Sequence, residues 1–80
     1  MKDDKFKSYI YDLGMLLKEK AKEAKSQKEA ASSADDADYE TGYLMAFHEI
    51  IDVMKEQARA FNIVQKDVGI ADIAPDADLL

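Results

Sequence analysis

Between Tyr39 and Phe61 the chain reads YETGYLMAFHEIIDVMKEQARAF, and Leu44, Phe47, Ile51, Met54, Ala58 and Phe61 recur there at alternating steps of three and four. A residue advances about 100° around a helix axis, so this spacing lines up six apolar side chains on one helical face. Tyr43 and Ile50 widen the stripe, and Val53, Ala46, Ala60 and Gly42 lie further round. His48, Glu49, Asp52, Lys55, Glu56 and Arg59 fill what remains. The apolar or small arc therefore covers roughly 200°, where an ordinary surface helix shows a stripe of about 100°. One neighbouring helix does not cover that much.

The N-terminal part supplies one such neighbour. Phe6, Ile10, Leu13, Leu17, Ala21, Ala24 and Ala31 keep nearly the same spacing, interrupted by Lys28. Tyr9 and Leu16 broaden the stripe in its first half only. From Lys18 onward the residues are almost all Ala, Lys, Glu and Gln, which favour a helix but bring little apolar bulk. Asp3 and Asp4 suit the helix start as N-caps. Gly14 costs about 1 kcal/mol against Ala inside a helix, which points to a close contact there.

Residues 32–38, SSADDAD, hold no bulky apolar group, and Ser and Asp favour caps and bends. Ser33, Asp35 and Asp36 all qualify as the cap of the second helix. Read this way, the chain is an all-α, antiparallel two-helix hairpin in one domain: a helix over about 4–31, a bend over 32–38, a helix over 39–62 and a tail over 63–80. A bend centred near Ala34 sets residue i opposite about 68−i, since connections this short make antiparallel neighbours. The intrachain seam then comprises Phe6, Ile10, Leu17, Ala21 and Ala24 against Leu44, Phe47, Ile51, Ala58 and Phe61. Leu17 faces Ile51, Ile10 faces Ala58, and Phe6 faces Phe61 or Asn62. The tail, NIVQKDVGIADIAPDADLL, carries too many apolar groups to hang free. It is expected to fold over the open end against Phe6 and Ile10, with the last six residues, PDADLL, mobile.

Tyr9, Leu16, Ile50 and Val53 make up the surplus that this seam does not use, and with Met54 they form the expected self-association interface. Eighty residues form a small domain that buries only about 60% of its unfolded surface, and such domains often depend on association. A symmetric dimer, a four-helix bundle closed through those five residues and the tail, is the expected assembly. Gly42 and Ala46 also form a small-xxx-small pair that admits a close backbone.

The chain contains no cysteine, which removes disulfides, thiolate nucleophiles and Cys-based zinc sites. No apolar run approaches the ~20 residues that span a bilayer, and the N-terminus lacks a secretory signal pattern; the expectation is a cytoplasmic protein without a membrane partner. The net charge is −6, which argues against affinity for nucleic acid. Residues 1–31 carry eight Lys against six acids, and residues 32–80 carry three basic groups against eleven acids, so the two halves hold +2 and −8.

His48, Asp52 and Glu56 stand on successive turns, with Glu49 nearby, and oxygen and imidazole ligands so placed can hold a divalent ion. A carboxylate-bridged pair of metals would need Glu-x-x-His motifs on facing helices, and this chain has one His. The same residues also make ordinary surface pairs, Glu56 with Arg59 and Asp52 with Lys55. The run from Lys18 to Lys28 is diluted by Glu19 and Glu23 and reads as a solvated face. Tyr39, Tyr43 and Met45 beside the bend resemble a binding surface in composition, though the tyrosines equally suit covering the alanine-rich half of the first helix. No catalytic residue, metal or cofactor is expected. The function expected is a non-enzymatic interaction or regulatory module, homo-oligomeric, with a further protein partner possible. The alternatives are an acidic decoy for a nucleic-acid-binding groove and, last, a metal-dependent helical enzyme.

Overall fold

The computed structural model describes residues 2–80, with side chains from Asp4 onward. Two long helices, α1 (Lys2–Glu29) and α2 (Ala34–Ala60), pack against each other; a single 3-10 turn (Gln65–Val68) and a short helix α3 (Pro75–Leu79) follow. No strand occurs among the described residues. The Cα trace extends 50 × 21 × 16 Å, and its radius of gyration of 14.3 Å exceeds the roughly 12 Å of a globular chain this long. It is a short rod.

Helix α1 runs through Gly14 and the lysine-rich segment without a break and stops at Glu29. It is already helical at Lys2, so Asp4 lies in its first turn, where a carboxylate suits the positive end of the helix dipole; the side chain of Asp3 lies outside those described. Ser33 is the residue that caps α2. Its backbone is extended (φ −136°, ψ 162°) and its Oγ accepts the N–H of Asp36 at 3.1 Å. Asp35 and Asp36 fall in the first turn rather than in the bend, again at the positive end of a dipole. The bend is consequently short and early. It spans 30–33 between the two helices, not 32–38. At the far end of the hairpin the rings of Phe6 and Phe61 are left 69% and 70% exposed.

Helix α2 ends with Asn62 in the left-handed region (φ 56°), while the N–H of Ile63 reaches back to the carbonyl of Ala58 at 2.7 Å. This is a Schellman-type ending with Asn in the place usually held by Gly, and it turns the chain back towards the bend. The tail then lies along the hairpin, a third layer between the two helices. Gly69 adopts φ 76°, and a Cβ there would lie 2.5 Å from the Tyr11 carbonyl oxygen and 2.8 Å from the Met15 nitrogen. On the other side of that contact, a Cβ on Gly14 would run into the carbonyl of Val68. Two glycines thus let the tail backbone meet the helix backbone.

The core is consequently built from three segments. Ala21 and Ala24 of α1, Leu44 and Ile51 of α2, and Ile70, Ile73 and Leu79 of the tail form one buried cluster, with Phe47, Met54 and Val68 packed against it. The alanine-rich half of α1 leaves room for the large tail residues. Burying Ile70, Ile73 and Leu79 is worth about 1.5–3 kcal/mol for each side chain, a large share of what so small a core has. The final residues are not loose: Pro75 opens α3 at its first position, Asp78 accepts the N–H of Ala74 at 2.8 Å, and Leu79 is fully buried. Only the start of the tail lies near Phe6 and Ile10, across an open groove of about 1030 Å³ that Ile63, Val64 and Val68 also line.

Candidate functional site

Polar contacts fix which side of the hairpin the tail occupies. Lys18, buried on α1, donates to both carboxylate oxygens of Asp72 at 2.8 and 3.0 Å and lies 3.3 Å from Met15 Sδ. That hydrogen-bonded ammonium holds the Asp72 carboxyl below its ordinary range. On α2, His48 Nε2 lies 2.8 Å from Asp76 Oδ1, and Lys55 donates to Gln65 Oε1 at 3.0 Å. Lys18, His48 and Lys55 therefore mark the tail side.

The opposite side follows from helix geometry. Tyr9 stands nine residues before Lys18 and Tyr39 nine before His48, which is about half a circumference away in each case. Leu13 and Leu16 on α1, and Ile50 and Val53 on α2, lie within roughly 40° of that direction. This face carries the surplus. Tyr9, Leu16, Ile50 and Val53 are 64%, 54%, 41% and 50% exposed, whereas Met54 is half-buried against the core. Towards the bend the face continues through an aromatic run, with Tyr39 and Tyr43 at 6.4 Å between ring centroids and Tyr43 and Phe47 at 5.1 Å. Tyr39 stands outside the core, Tyr43 is partly covered, and Met45 is exposed on the outer side of α2.

The seam residues divide along the rod. Ala21, Ala24, Leu44, Ile51 and Ala58 are buried, Leu17 and Phe47 are half-buried, and Phe6, Ile10 and Phe61 are exposed at the open end. Lys18, which its sequence neighbours place on a solvated face, is instead among the most buried polar residues, at 6% exposure.

The three residues considered for a metal do not converge. His48 is taken by Asp76, on the tail side, and no group of three or more His, Asp or Glu able to hold an ion occurs among the described residues. Glu40 Oε2 is shut off from solvent without a hydrogen-bond partner among the described residues. No helix among the described residues is long and apolar enough to cross a membrane. No protein-family model, curated protein or solved structure matches the chain.

Proposed function

We propose that the protein is a non-enzymatic helical interaction module that works as a homodimer. The tail-free faces of two hairpins close on each other as a four-helix bundle. The observation that carries this is surface area. The chain exposes 5713 Å², whereas a folded monomer of 9.0 kDa is expected to expose about 4,900 Å². The excess, roughly 800 Å², matches what each partner buries in an interface of standard size. Tyr9, Leu13, Leu16, Ile50 and Val53, all exposed, share the tail-free side, and a cluster of exposed apolar side chains is the kind of surface that marks an interaction site.

The experiment is sedimentation of the wild type and of Ile50→Asp. Ile50 lies outside the buried cluster, so the variant keeps its helix content while two unpaired carboxylates enter each dimer. Burying such groups costs several kcal/mol, so the dimer's dissociation constant is expected to rise by at least ~100-fold. An unchanged dimer would remove this face from consideration.

Charge favours a second proposal, that the module occupies the basic groove of a nucleic-acid-binding protein as an acidic decoy. Asp35, Asp38, Glu49, Asp52 and Glu56 are all exposed on α2, away from its core side. Binding of this kind weakens steeply between low and moderate salt, because exposed charges are screened. A salt-independent complex would count against it.

A further inference from the structure

Resting on the self-association proposed above, we infer that the second copy docks with its open end beside the first copy's open end, each α1 crossing to the partner's α2. Two hairpins stacked face to face about a two-fold axis have two simple arrangements. An axis along the rod lays α1 over the partner's α2 and brings the two open ends together. An axis across the rod lays α1 over α1 and α2 over α2, with each open end against the other copy's bend.

Charge separates the two. Helix α1 holds eight Lys against six acids, +2, and α2 holds Lys55 and Arg59 against seven acids, −5. The first arrangement makes two contacts between helices of opposite charge; the second makes one between like positive helices and one between like negative helices. Packed helices lie 8–10 Å apart, close to the Debye length of about 8 Å in physiological salt, so charges flanking the seam still act across it. Flanking charges of this kind set the partner and the orientation in helical bundles.

The placement of apolar side chains on α1 agrees. Phe6, Tyr9, Leu13, Val53 and Phe61 are exposed in the open half. Beyond Leu17, α1 offers no large apolar side chain. Open end on open end sets apolar surface against apolar surface. The axis across the rod instead presses Phe6 and Tyr9 against the part of the other copy's α1 that corresponds to its lysine-rich half.

Because the chain has no cysteine, one introduced thiol takes one spin label. Ser32→Cys places it in the bend, and the two labels of a dimer are expected roughly 20–30 Å apart, two or three helix spacings. Mixing Lys5→Cys with Ser32→Cys should give a cross-distance of about 40 Å, the rise of the intervening helix. A dimer in which the Ser32 labels stand near the 50 Å length of the molecule, or in which the mixed pair is the short one, overturns this orientation and leaves the dimer standing. Wild-type protein that sediments as a monomer at every concentration overturns the self-association itself, and this inference with it.

Discussion

Gly14 and Gly42 both sit inside long helices, and their surroundings give them opposite roles. At Gly14 the tail carbonyl of Val68 occupies the place a side chain would take; at Gly42 nothing lies within 4 Å. Gly14→Ala gains about 1 kcal/mol of helix propensity but must push the tail backbone off α1. Overpacking costs about 1–3 kcal/mol and more where backbone has to shift, so a melting temperature roughly 10 °C lower is expected. Gly42→Ala should instead raise it by about 4 °C or more, as only the propensity gain applies. Calorimetry on the two variants checks both signs. A fall for Gly42→Ala would mean that another backbone does approach the Gly42–Ala46 pair.

The same scale holds the Lys18–Asp72 pair, where the two partners are not equivalent. Lys18 is buried and Asp72 mostly exposed. Asp72→Ala leaves an ammonium shut off from water with only a thioether beside it, whereas Lys18→Met leaves a carboxylate that water can solvate. Asp72→Ala is therefore expected to lower the melting temperature more. The pH dependence has a definite sign. The carboxyl's folded pKa is depressed, so the pair contributes fully above the unfolded carboxylate value, about 4, and the contribution disappears as pH falls through the lowered one. Melts from pH 7 to pH 2 should show wild type and Asp72→Ala converging at the acid end. A constant gap would mean that the carboxylate contributes through its shape and not its charge.

Among the elements, the tail departs furthest from what its composition announces. Ile73→Ala should cost about 2–4 kcal/mol in urea unfolding, as a fully buried branched side chain leaves a cavity beneath it. A chain ending at Val64 should lose its cooperative transition, because Ala21, Ala24, Leu44 and Ile51 would then face water. A truncated hairpin that still melts sharply would show that α1 and α2 suffice. The hairpin itself is legible because a three-and-four spacing needs only neighbouring residues to be seen. The bend is displaced because SSADDAD looks like a turn by composition, while its acids serve equally well in a helix's first turn once Ser33 has capped it. The tail's path is not legible, since its decisive partners lie far apart along the chain. Lys18 meets Asp72 across 54 residues and carries no mark that separates it from Lys20 or Lys22. The surplus on Tyr9, Leu16, Ile50 and Val53 was readable, because a stripe too wide for one neighbour appears on the wheel before any fold is known. Gly14 belongs with them: a glycine kept inside a strong helix former announces close approach, though not what approaches.

For the molecule as a whole, the tail and the open face divide the work of covering α2. The tail takes the side marked by His48 and Lys55, and the side marked by Tyr39 and Ile50 stays bare. On the self-association proposed above, closing the bare side adds stability that depends on concentration by mass action. The melting temperature of the wild type should therefore climb as protein concentration rises from micromolar to millimolar, while that of Ile50→Asp stays level across the same range. Calorimetry at four or five concentrations tests the pair. The two curves should differ most at the concentrated end and approach each other on dilution, where the wild type is also monomeric. If the wild type melts at one temperature throughout, with the sedimentation of a single chain, then the bare face is stable in water unaided, and the excess surface reflects only the elongated shape of the rod.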